Sequence, residues 1–133
     1  MSYTYGILNA WQKMKTLNLW LPVFLWAAVI FTLSTISNPR ASQFFVWDFI
    51  AKKVAHVTEY AILFILILRA THKNFVLAFT LTVLYSISDE FHQSFIPGRT
   101  PAIYDVGLDS SGAAIAGYVI WKLKLHQSKK HKI

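Results

Sequence analysis

The sequence predicts an all-α fold, a small membrane bundle of about four transmembrane helices with both termini cytoplasmic. Three observations predict it. Of the residues, 55% are hydrophobic and 14% charged, less charge than soluble domains carry, so lipid is the expected solvent. Apolar runs near the ~20 residues that a bilayer span requires recur along the chain, separated by short polar segments. Lys and Arg are unevenly divided between the two sides of these runs. The N-terminus, the 69–73 connection and the C-terminal tail carry nine, whereas Arg40, Lys52, Lys53 and Arg99 make four on the other side. Basic residues accumulate in cytoplasmic loops, which places both termini inside.

The chain reads as one domain, 1–133, with no internal repeat or low-complexity linker. It has no cysteine, which excludes a disulfide, a thiolate metal site and a thiol nucleophile. A formal charge of +7 raises nucleic acid as a partner. However, the basic residues flank apolar runs instead of clustering on a recognisable binding motif, so no nucleic acid is expected.

The first span is 17–36, within a stretch, 16–39, that has no charged residue. A signal peptide would share its basic start at Lys13 and Lys15. The run is long for one and no small-x-small cleavage site follows, so it reads as an uncleaved anchor. The 37–51 segment is expected as an outer loop whose Phe44, Phe45, Trp47, Phe49 and Ile50 rest on the headgroup layer.

Lys52 and Lys53 open the second span, 53–69, whose polar residues His56, Thr58, Glu59 and Tyr60 lie in its first half. The short 69–74 connection predicts an antiparallel hairpin with the third span, 75–95. That span is apolar until Ser86 and then dense in Asp89, Glu90, His92 and Gln93. Pro97-Gly98-Arg99-Thr100-Pro101 reads as a turn, because two prolines interrupt helix and Gly permits unusual dihedrals. A fourth span, 103–122, follows, and Lys129, Lys130 and Lys132 after it serve as a topology signal in contact with anionic lipid.

All six acids, Asp48, Glu59, Asp89, Glu90, Asp105 and Asp109, fall on the outer side in this arrangement. Asp89 is fourteen positions past Phe75, roughly 21 Å along the helix, which leaves about 9 Å to the outer edge of a ~30 Å core. Glu59 and Asp109 reach a similar level. An ionisable group at the bilayer centre costs ~2.5–3.5 kcal/mol on insertion scales, so these groups are expected to face one another or water. Helical spacing puts His56, Glu59 and Tyr60 on one face, Asp89, His92 and Gln93 on a second, and Asp105 with Asp109 on a third.

This defines two sets of candidates. His56, Glu59, Asp89, Glu90 and His92 are candidates for proton transfer, with Glu59 or Asp89 acting beside His56 or His92. Lys53, Gln93, Arg99, Asp105 and Asp109 are candidates for substrate binding, Arg99 because its fork fits phosphate or carboxylate. Buried ion pairing that fixes helix register is the structural alternative for the same cluster. His56 with Glu59, and Asp89 with His92, match the Glu-x-x-His metal sites of helix bundles only approximately. No cofactor is therefore expected, with a divalent metal as the lesser alternative. His72, His126 and His131 lie on the basic side and read as solvated. Gly112, Ala113, Ala116 and Gly117 put small residues on one face, suited to close helix packing or to a homo-oligomer contact.

Lys53-x-x-His56, Asp89-Glu90-x-x-Gln93, Pro97-Gly98-Arg99, Asp105-Val106 and Asp109-x-x-Gly112, with Ser34 near the end of the first span, together resemble the VanZ-like family. The resemblance runs over nearly the whole chain, 17–121. Relatives often carry Asn at the last acidic position, where this chain has Asp109. It implies a bacterial multi-pass protein of the cell membrane and envelope. The family's namesake gives resistance to teicoplanin, a glycopeptide antibiotic that binds cell-wall precursor termini; a housekeeping envelope role is equally compatible.

Three readings follow. One is an enzyme acting on a phospholipid or lipid-linked precursor headgroup at the outer leaflet. Another is a non-catalytic binder of precursor lipid, antibiotic or envelope partner, motivated by the lack of a recognised nucleophile or metal motif. The third is a proton-coupled transporter, which intramembrane acids favour but which lacks a visible broken-helix pair or inverted repeat.

Overall fold

A computed structural model describes residues 2–36, 45–97 and 103–130. Arg99 and the Gly98, Thr100 and Pro101 of its expected turn lie outside the described residues, as do Arg40, Phe44 and His131. Four helices make up the fold: α1 (Ser2–Thr35), α2 (Phe45–Ala70), α3 (Phe75–Gln93) and α4 (Ile103–Lys130). Among the described residues there is no strand, so the fold is all-α, as composition and periodicity predicted.

Two helices start earlier than their apolar runs. Helix α1 begins at Ser2, where Lys13 and Lys15 are good helix formers that carry it toward the apolar stretch. Helix α2 begins at Phe45, so residues 45–51, expected in a loop, are helical. Lys52 and Lys53 lie inside α2 and do not open it. No Pro or Gly occurs from Phe45 to Ala70, and a change of polarity alone does not end a helix.

The α2–α3 hairpin forms as expected. Lys73 N–H donates to the Leu68 carbonyl at 2.8 Å and His72 N–H to Arg69 at 3.3 Å, the paired bonds of a Schellman cap. His72 and Lys73 accordingly have φ of 52° and 69°. Asn74 then caps α3, its side-chain oxygen accepting from Leu77 N–H at 3.1 Å.

The most extensive helix contact is between α2 and α4, and the small-residue face provides it. A Cβ at Gly112 would collide with the backbone carbonyl of Val57, and one at Gly117 would press on the Phe64 ring. Ala113 and Ala116 are buried on the same face. That face is therefore used for packing within the chain.

Beside an apolar core that includes Ile30, Leu63 and Phe64, the bundle buries polar residues and exposes large apolar ones. Ser34, Thr82, Ser86, Asp89, Gln93 and Asp109 are buried, while Phe24, Phe91 and Val76 are 66%, 68% and 78% exposed. Comparable apolar side chains project outward from every helix, such as Leu17, Val54, Leu84 and Ile115. Among the described residues one stretch, Gln12–Thr35, is long and apolar enough to cross a membrane by itself. The apolar runs of the other helices are interrupted by ionisable residues, and those residues build the interior described next.

Candidate functional site

Asp89, on the last turns of α3, is 2% exposed. Its Oδ2 accepts from Ser34 Oγ of α1 at 2.8 Å, Gln93 Nε2 of α3 at 2.9 Å and Tyr60 OH of α2 at 3.3 Å. Gln93 also reaches Ser34 Oγ at 3.4 Å. One carboxylate thus ties three helices together at a single end of the bundle. Buried in apolar surroundings, it is tolerable only because hydrogen bonds replace its water.

Asp109 of α4 is 1% exposed and completes the arrangement. Its Oδ2 accepts from Ser86 Oγ at 2.9 Å, and its Oδ1 is 3.4 Å from His56 Nδ1 of α2. Ser86 and Asp89 are one helical turn apart, so the Ser86 bond brings the second carboxylate beside the first. Gly112, one turn after Asp109, lets α4 approach α2 closely enough for Asp109 to reach His56. Asp89 Oδ1 and Asp109 Oδ1 are buried without a hydrogen-bond partner among the described residues. For Asp109 the 3.4 Å separation from His56 is ion-pair range and not an aligned hydrogen bond.

His56 is only partly covered, its side chain 20% exposed, and its ring lies nearly parallel to that of Tyr60 with centroids 6.5 Å apart. A carboxylate at Nδ1 orients the imidazole and leaves Nε2 as the ring's other proton-exchanging atom. This is the chemistry the arrangement allows: one partly accessible imidazole backed by a buried carboxylate, beside a second carboxylate fixed by three donors.

The other candidates fall around this centre. Lys53 pairs with Asp105 and lies 4.8 Å from the Tyr104 ring centroid, so two residues expected to hold substrate hold each other. His92 turns toward α1, where it stacks on Phe31 at 4.0 Å and meets Thr35 Oγ1 at 3.3 Å. Of the two histidines, His56 lies against a carboxylate that was expected to hold substrate, that of Asp109. Glu90 is buried. Glu59 is half-buried, and its backbone carbonyl accepts from Trp26 Nε1 at 3.0 Å. Among the described residues no group of three or more His, Asp or Glu side chains is disposed to hold a metal ion.

Sequence reasoning did not find Ser86 as a partner of Asp109, the α1 anchor from Trp26, or the bond from Tyr85 OH to the Ala27 carbonyl at 2.5 Å. A usable signal was present: a Trp or Tyr within an apolar run carries a donor that needs an acceptor once buried.

The profile of the VanZ/LLP1 family matches residues 2–125, nearly the whole chain. No curated protein and no solved structure gives a match. The matched span includes every residue of the polar centre, from Ser34 on α1 to Asp109 on α4.

Proposed function

The chain belongs to the VanZ-like family, and from that premise we propose that it is a multi-pass bacterial membrane protein. All four helices span the bilayer, both termini are cytoplasmic, and the polar centre lies in the outer half. The centre acts on a phosphate-bearing headgroup, of a phospholipid or a lipid-linked cell-wall precursor. Buried polar residues inside a belt of exposed apolar ones support the spanning arrangement, because only lipid makes that distribution favourable on all helices. The positive-inside bias supports the orientation.

The observation that carries the chemical reading is the pair His56 and Asp109, 3.4 Å apart, with the imidazole partly exposed and the carboxylate buried. His56 Nε2 takes or gives the proton and Asp109 orients the ring. Lys53, exchanging its Asp105 partner for a phosphate oxygen, and Arg99 hold the headgroup. An Asn in place of Asp109, as relatives often have, keeps an oxygen that can accept from Nδ1–H.

The test is lipid mass spectrometry of cells producing wild type, His56→Gln, Asp109→Asn or no protein, with membrane insertion checked in each. A lipid species that changes with wild type, changes in part with Asp109→Asn and is unaffected by His56→Gln is the expected result. Identical lipid profiles in all four overturn the enzymatic reading. A second reading, non-catalytic binding of a precursor lipid, antibiotic or envelope partner, is favoured by Asp89, whose three donors suit a fixed anchor better than a proton carrier. It predicts unchanged lipids with a phenotype that survives His56→Gln.

A further inference from the structure

We propose that the basic end of the bundle carries a binding groove for one anionic glycerophospholipid of the cytoplasmic leaflet, between α2 and α4. The groove has a volume of about 490 Å3, within the range of small-molecule sites. Ile65, Leu68 and Ile120 form its apolar wall, and Arg69, His72, Lys73 and Lys124 its polar rim. No acid lines it. The acids of the chain lie in the first half of α2, the end of α3 and the start of α4, toward the opposite end.

The chemistry of the rim and wall selects the ligand. Three cations and an imidazole beside an aliphatic wall match an amphiphile with a phosphate head and an acyl chain, whereas a free phosphate would leave the wall unused. Arg presents a fork that fits two phosphate oxygens, and Lys adds a point charge. Lys124 Nζ is 5.2 Å from the Phe75 ring centroid, a cation–π contact that holds it at the groove. Arg69 and Lys73 take part in no ion pair among the described residues, so no carboxylate there neutralises them.

The backbone supplies an independent observation. The Schellman position closing α2 ordinarily holds Gly, since a Cβ is strained at positive φ. This chain puts His72 there at φ 52° and Lys73 next at φ 69°, and both side chains line the groove. A glycine would cap the helix with less strain but would contribute nothing to the rim, and such strain persists where a side chain has a use. The proposal rests on the cytoplasmic placement of this end and is independent of the chemistry at the polar centre.

Native mass spectrometry of the purified full chain, with phosphatidylglycerol and phosphatidylcholine of identical acyl chains, tests it. Wild type is expected to retain the anionic lipid preferentially. Arg69→Gln combined with Lys73→Gln should lower that preference by about tenfold or more, since each basic residue near anionic lipid carries roughly a several-fold effect. Lys15→Gln combined with Lys122→Gln removes the same charge from the same end outside the groove and should keep the preference. His72→Gly, which relieves the cap, should raise thermal stability while weakening lipid retention, and it serves if the double variant does not fold. Glycerol phosphate should not displace the lipid. Equal retention of the two lipids, or equal losses in groove and control variants, overturns the groove. A cysteine at Ser128→Cys labelled from outside intact cells overturns the orientation alone, because lipid preference in detergent is measured without it.

Discussion

The two ends of the bundle treat polar side chains in opposite ways. At the acid-bearing end Ser34, Tyr60, Asp89, Gln93 and Asp109 turn inward and hydrogen-bond across helices. At the basic end the interior is Phe64, Ile67, Leu68 and Ala78, while Arg69, Lys73, Lys122 and Lys124 are exposed. Among the described residues Lys122 and Lys124 touch only the rings of Tyr118 and Phe75, and none of these four basic residues joins an ion pair. A carboxylate inside needs donors, and each donor fixes the rotation of the helix that carries it. The difference teaches that helix register is fixed at the acid-bearing end, while the basic end supplies the charge on which the proposed orientation rests.

Removing the central acceptor should break that contrast most strongly. Asp89→Leu takes their shared acceptor from donors on α1, α2 and α3, and thermal unfolding in detergent should show a loss of about 3–5 kcal/mol. Asp89→Asn keeps an acceptor oxygen and should recover part of it. A loss no larger than that of a surface substitution would make the two ends equivalent.

Gly112→Val should follow, with a loss of about 1–3 kcal/mol by the same assay, because its side chain would meet the Val57 carbonyl. Gly107→Ala is the matched control. Nothing lies within 4 Å of a Cβ there, and replacing a helical glycine should stabilise by about 0.5–1 kcal/mol. Equal effects at the two glycines would remove the close α2–α4 approach from the account.

Tyr85→Phe should cost about 1 kcal/mol by deleting the bond to the Ala27 carbonyl. Lys122→Gln, at the basic end, should leave the melting temperature unchanged. A measurable stability loss for Lys122→Gln would blur the division between the ends.

Much of the helical fold was legible in the sequence. Apolar runs gave the helices, the short 69–74 connection gave the hairpin, and the positions of Asp89 and Asp109 put acids toward one end. Partner choice was not legible. His56 meets Asp109 across 53 positions and Lys53 meets Asp105 across 52, and such pairings depend on helix rotation, which periodicity within one helix does not determine. Ser34 stood out only through the family resemblance, and Ser86 only as the point where the apolar run ends. The helical residues 45–51 were missed because the charged pair Lys52 and Lys53 reads as the start of a span, although no helix breaker separates it from Phe45.

The central claim is that the buried polar end faces outward across the membrane. Because the chain has no cysteine, single reporters at Ser94→Cys, beside Gln93 on α3, and at Ser128→Cys, late on α4, can be labelled with a membrane-impermeant maleimide. The account predicts that Ser94→Cys labels in intact cells and Ser128→Cys only after lysis. Labelling of Ser128→Cys in intact cells, with Ser94→Cys protected until lysis, would contradict it.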